Sequence, residues 1–251
     1  MPCLVSVDEL TLLLERHEIL GGSLPLISDA LWTSFNPRLR KLNYRGTIEA
    51  FQRILSPLLQ HNFDPLPSLT HLVIYFQFRS MIPSVNHDIA VFVTFLQCLE
   101  QTLESLFLIP AQLTSIVLKL PHFPRLEHLS IRLYVVTPEE GVAFTSFVST
   151  HREQLKTLTL SLCSTHIYQD LCNISFPFLH TLVLDLQDPT VLTHAFPHVP
   201  CLQRFVSGGR YYFDQETMMK IRDRASPSEP TIAYERHPFG LALDIQLGAA
   251  W

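Results

Sequence analysis

The sequence predicts an α/β solenoid, a stack of strand–helix units whose strands form one parallel concave sheet, with helices and irregular turns on the convex side. Three observations predict it. The stretch "FPRLEHLSIRLY", starting at Phe123, recurs as "FPFLHTLVLDLQ" at Phe176, 53 positions later. Their shared core, Leu-x-x-Leu-x-aliphatic, appears seven times, with first leucines at Leu39, Leu69, Leu103, Leu126, Leu155, Leu179 and Leu202, the last copy degraded. The intervening segments carry apolar residues at helical spacing, so strand and helix periods alternate along the chain.

The physics behind the phrase is short-range. Leu-x-x-Leu-x-Leu sets its second and third apolar residues on one face of a short strand, and the residues between them face the other way. One such unit cannot close a core, so successive units must stack and share one. The first leucines lie 30, 34, 23, 29, 24 and 23 residues apart.

Taken in order, "DELTLLL" from Asp8 reads as a degenerate first strand, and "SLPLISDALWTSF" from Ser23 as its helix. "IEAFQRILSPLLQ" places Ile48, Phe51, Ile54, Leu55, Leu58 and Leu59 on one helical face, with Pro57 expected to kink or shorten it. "HDIAVFVTFLQCLEQ" repeats the period through Ile89, Phe92, Phe95, Leu96 and Leu99. The segment "AQLTSIVLKLPHF" has room only for a short turn or 3₁₀ piece. In "TPEEGVAFTSFVSTH", Thr137 is a candidate N-cap, Pro138 suits the first helical position and Glu140 completes a capping box. "DPTVLTHAF" uses the same device with Asp188 and Pro189. Beyond Leu202, "DQETMMKIRDRA" reads as a last helix and "SPSEPTIAYERHP" as a Pro-rich loop around a short strand. The expected organisation is a degenerate repeat or cap over 1–36, repeats over 37–209, and a C-terminal cap helix and tail over 210–251.

Composition narrows the function classes. The chain has 251 residues, 47% hydrophobic and 16% charged, which argues for a large core. A net charge of −5 gives no basic face for nucleic acid. Five cysteines, an odd number without a C-x-x-C pair, argue against a disulfide framework and for a reducing compartment. No apolar run reaches the length of a membrane helix, and "MPCLVSVDELTLLLERH" lacks a basic leader region. The expected setting is intracellular, cytoplasmic or nuclear, with no membrane and no nucleic acid as partner.

Motifs for chemistry are sparse. With eight glycines and none of the common nucleotide, hydrolase or zinc-protease signatures, no cofactor is expected. His194, His198 and Cys201 in "HAFPHVPC" have ligand-like spacing, but Pro197 interrupts the helix that would align them. Cys163 and Cys172 near His151 and His166 could form a thiol and base, against the simpler reading as small residues of a repeat turn and helix.

The residues between the leucines are the candidate binding set: Lys41, Arg45, His71, Val73, Tyr75, Phe107, Ile109, His128, Arg132, Asp185 and Arg204. Val73, Tyr75, Phe107 and Ile109 would make an apolar-aromatic patch flanked by Lys41, Arg45 and Arg132, a composition typical of protein-binding hot spots. The competing reading is that a loop or the C-terminal tail covers the patch.

On these seven segments the chain resembles leucine-rich-repeat proteins over Leu39 to Gly209. The aromatic-Pro lead-ins and uneven spacing make it similar to the repeat half of fungal F-box proteins. That resemblance implies a substrate receptor of a cullin-type ubiquitin ligase, non-enzymatic, with a protein partner on the concave face and a Skp-type adaptor if an F-box lies upstream. Two departures qualify it. The ninth repeat position, commonly Asn or Cys, holds Thr47, Gln77, Ala111, Tyr134, Cys163 and Gln187 in six copies, only one of them Cys. The F-box itself is missing, since "SLPLISDALWTSF" matches its opening only superficially, which suggests a truncated gene model. The alternatives are an enzyme with an unrecognised Cys/His site, and a remnant without a partner.

Overall fold

Leucine placement decides the architecture of the computed structural model. It describes residues 8–13, 32, 37–60, 66–76, 89–109, 114–133, 137–162, 165–186, 191–194, 196–208, 217, 219, 221, 223 and 231–235. The fold is α/β, with helices and parallel strands, and divides into two compact units, Met1–Leu126 and Glu127–Trp251.

In the first unit four strands run parallel in chain order: β1 (Glu9–Leu13), β2 (Lys41–Gly46), β3 (His71–Phe76) and β4 (Ser105–Ile109). Helices α1 (Ile48–Gln60) and α2 (Ala90–Cys98) follow β2 and β3, and a 3₁₀ turn, Thr114–Lys119, follows β4. The second unit holds β5 (His128–Leu133), β6 (Thr157–Leu162), β7 (Thr181–Leu186), β8 (Arg204–Gly208) and β9 (Thr231–Glu235), with each paired neighbour parallel. Its helices are α3 (Pro138–His151), α4 (Thr165–Cys172) and the single turn α5 (Val191–His194).

All seven first leucines are fully buried, and each sits two residues before a strand. Their strand successors stack in register: Leu42 on Leu72 on Leu106, and Tyr44 on Ile74 on Leu108 in the first unit. In the second, Leu129, Leu158, Leu182 and Phe205 form one column, and Ile131, Leu160 and Leu184 the next. Each buried side chain of this size contributes about 1.5–3 kcal/mol, so the columns supply much of the force for folding.

Backbone hydrogen bonds set the register. At six places the carbonyl of the residue before a strand accepts two N–H groups from the next strand's entry. Asp8 O takes Arg40 N and Lys41 N, Arg40 O takes Thr70 N and His71 N, and Thr70 O takes Glu104 N and Ser105 N. The second unit repeats the device through Glu127, Lys156 and His180.

The helices close the core. Phe51 of α1 lies edge-on to Tyr44, Phe76, Phe92 and Phe95, with centroids 4.8 to 5.8 Å away. Trp32 is buried and its Nε1 donates to the Ile54 carbonyl at 3.1 Å. The expectation that Pro57 would shorten the helix is not met: α1 runs on to Gln60. Thr47 starts it, its Oγ1 accepting from Ala50 N at 3.3 Å. In the second unit the capping box is complete, with Thr137 Oγ1 accepting from Glu140 N and Glu140 Oε2 from Thr137 N. Gly141 of α3 faces Ile167 of α4, where an added Cβ would lie 3.2 Å from Ile167 Cγ1.

The degenerate first strand is β1, and the short strand in the Pro-rich segment is β9. Apart from Trp32, the segment read as the first helix lies outside the described residues, as do Asp188 and Pro189. Of the last helix read, Thr217, Met219, Ile221 and Asp223 are described, all helical. Among the described residues no helix is long and apolar enough to cross a membrane.

Candidate protein-binding surface

Strand alternation turns one face of the strands in each unit toward the leucine columns and leaves the intervening residues on a second face. In the first unit that face is built from rows set by register. The entry row is Glu9, Lys41, His71, Ser105, the middle row Thr11, Asn43, Val73, Phe107, and the exit row Leu13, Arg45, Tyr75, Ile109.

Polar groups tie the β1–β2 side together. Lys41 Nζ lies 2.8 Å from Glu9 Oε1, and Asn43 Nδ2 donates to the same oxygen at 2.9 Å and to Thr11 Oγ1 at 3.1 Å. In the exit row the Arg45 guanidinium carbon stands over the Tyr75 ring, 5.2 Å from its centroid. That distance is within the range of a cation–π contact, which holds an otherwise mobile arginine in place. Next in the entry row, His71 Nδ1 lies 2.8 Å from the Thr70 hydroxyl.

The expected patch is brought together, because Val73 pairs with Phe107 and Tyr75 with Ile109. It is not open, however. Val73, Phe107 and Ile109 are only 5%, 2% and 2% exposed, so the apolar part of the expected hot spot is withdrawn from water. What stays accessible is its polar margin: Arg45 and His71 are exposed, and Lys41 and Tyr75 are half-buried. Apolar side chains gain by leaving water wherever cover exists, and alternation alone cannot report cover.

The second unit presents His128, Arg132, Asp185 and Arg204 on its own second face. The first three are half-buried and Arg204 is exposed. Register places Arg132 beside Ser161 and Ser161 beside Asp185, and the Ser161 hydroxyl donates to Asp185 Oδ2 at 2.9 Å. His128 leads a separate row through Thr157 and Thr181 to Arg204. This face is a floor of hydroxyls and mixed charge, without aromatic anchors at the described positions.

Sequence reasoning missed the share of β1. Glu9, Thr11 and Leu13 extend the rows by one strand, and the signal was present in the alternation of "DELTLLL". The histidine and cysteine candidates for chemistry are divided among α3, α4, α5 and the turn after it. His151 is buried in α3, its Nδ1 2.7 Å from the Phe147 carbonyl oxygen and its ring 4.3 Å from the Phe147 ring, which fits a structural role. His166 and His198 are exposed, Cys172 and Cys201 form no disulfide, and Cys163 lies outside the described residues. Among the described residues no group of three His, Cys, Asp or Glu is placed to hold a metal ion.

No protein-family model matches this chain, and no curated protein matches it significantly. The reading of its role therefore rests on the residues and the geometry above.

Proposed function

We propose that this chain is a leucine-rich-repeat solenoid acting as a non-enzymatic protein-binding module, in the manner of a ubiquitin-ligase substrate receptor working inside the cell. The observation that carries the reading is the repetition itself. Seven Leu-x-x-Leu segments bury their first leucine completely, start a strand two residues later, and leave chemically varied side chains on the other face. A fold that repeats its core while varying one face suits recognition of an extended partner. The accessible group of Lys41, Arg45, His71 and Tyr75 is the part of that face best suited to bind, because arginine and tyrosine dominate binding hot spots.

The test is a pull-down from lysate of the source cell, read by quantitative mass spectrometry. Wild-type chain is compared with an Arg45→Glu, Tyr75→Ala variant and with Lys156→Ala, a surface change in the second unit. Partners retained by wild type and Lys156→Ala but lost from the double variant support the reading. Identical recoveries from all three baits refute it. A Skp-type adaptor recovered with every bait would support docking to a ligase.

A further inference from the structure

The exit row of β1, β2 and β3 sets three unlike side chains next to one another. Leu13 pairs in register with Arg45, and Arg45 with Tyr75. Leu13 is 51% exposed, Arg45 is exposed, and Tyr75 is half-buried beneath the guanidinium. The two cations of β2 differ in their partners. Lys41 is neutralised by Glu9, whereas among the described residues Arg45 has no carboxylate within ion-pair distance. The ring of Tyr75 thus positions a guanidinium without satisfying its N–H donors, and those donors form a fork that matches a carboxylate. An exposed leucine one strand away adds an apolar contact.

We infer that this row binds an extended acidic peptide in which a carboxylate sits close to an aliphatic side chain. The carboxylate accepts from Arg45, and the aliphatic group packs on Leu13 and the arginine stem. Neighbouring strands are about 4.8 Å apart and same-side residues of an extended peptide about 7 Å apart, a mismatch the long arginine side chain can span. A single un-neutralised guanidinium in this row matches one carboxylate, whereas a phosphate polymer is held by several cations together. The inference rests on the protein-binding reading above and narrows the partner's chemistry.

Fluorescence anisotropy on the full chain tests it, using two fluorescein-labelled peptides of equal length, one alternating Asp and Leu and the other Asn and Leu. The Asp peptide is expected to bind about tenfold more tightly, and to weaken as salt rises from about 50 to about 300 mM. Arg45→Ala should abolish the preference, while Tyr75→Phe, which keeps the ring, and Lys156→Ala should retain it. Circular dichroism on each variant confirms folding. Equal affinity for the two peptides, no binding of either, or a preference that survives Arg45→Ala overturns the inference, as does stronger binding of an oligo-dT probe. If the pull-down partner is lost with the Arg45→Glu, Tyr75→Ala variant while the peptides bind alike, protein binding stands and the acidic preference falls.

Discussion

Removing the Phe51 ring should reveal how much of the first unit's stability hangs on one residue. Phe51 is 1% exposed and meets four rings edge-on, at interplanar angles of 69° to Tyr44, 83° to Phe76, 73° to Phe92 and 79° to Phe95. Truncating a buried Phe to Ala costs about 3–5 kcal/mol in lost transfer and cavity terms. Edge-to-face pairs add about 0.5–1.5 kcal/mol each beyond area, partly overlapping that figure. We expect a loss of about 5 kcal/mol, comparable to the whole stability of a marginal domain. Phe51→Leu keeps most of the volume and should cost about 1–2 kcal/mol. Urea titration followed by Trp32 fluorescence gives the readout, since Trp32 bonds to Ile54 on the same helix. The sequence has two tryptophans, so a Trp251→Phe background isolates the signal. A loss below about 1 kcal/mol for Phe51→Ala at unchanged denaturant slope would refute the claim that the first unit's stability hangs on this residue.

Tyr44 makes stability fall at alkaline pH. Burial, reinforced by nearby Glu49, pushes its phenol well above the ordinary value, and its hydroxyl donates to the Thr47 carbonyl at 2.6 Å. The unfolded chain releases this proton at about pH 10 while the folded chain keeps it, so stability is full below that pH and then falls by up to about 1.4 kcal/mol per unit. Tyr44→Phe should lose about 1 kcal/mol near neutrality and show a shallower decline above about pH 10 in urea midpoints; parallel declines would contradict it. Gly141→Ala should destabilise by about 1 kcal/mol, although alanine is the better helix former, because Ile167 Cγ1 stands 3.2 Å from the new Cβ. In an Ile167→Ala background the same change should become stabilising, and a double-mutant cycle by thermal melting measures the reversal.

The leucine phrase was legible because it combines two local facts, a period-2 strand and a fixed lead-in, and both survive in the seven buried first leucines. The capping box at Thr137 was legible for a similar reason, since its partners are three residues apart. The 3₁₀ turn at Thr114–Lys119 followed from the short interval between Leu103 and Leu126. Burial of the second face was not legible. Val73, Phe107 and Ile109 occupy positions that alternation assigns outward, yet they are buried, and burial depends on the neighbours a side chain meets in three dimensions rather than on period. The contact of Arg45 with Tyr75 and the bond from Asn43 to Glu9 need inter-strand register, which no window on one strand contains. Leu66 is a smaller case: it takes a left-handed φ of 57° while fully buried, with Leu69 N bonding back to its carbonyl, and nothing in its residue type announces that turn.

The division between what repeats and what varies has a physical cause. Where a main-chain carbonyl before one strand accepts two N–H groups from the next, as at Arg40 and His180, the backbone itself sets the register. The leucine columns supply the burial. Lys41, Arg45, His71 and Tyr75 stay accessible and differ in charge, size and polarity from strand to strand, whereas Asn43 and Val73 between them are buried. Constancy on one face and freedom on the other are what a recognition surface requires. The periodicity that exposes the architecture therefore carries no information on any partner: the letters that would choose one are the accessible ones, which the repeat does not constrain.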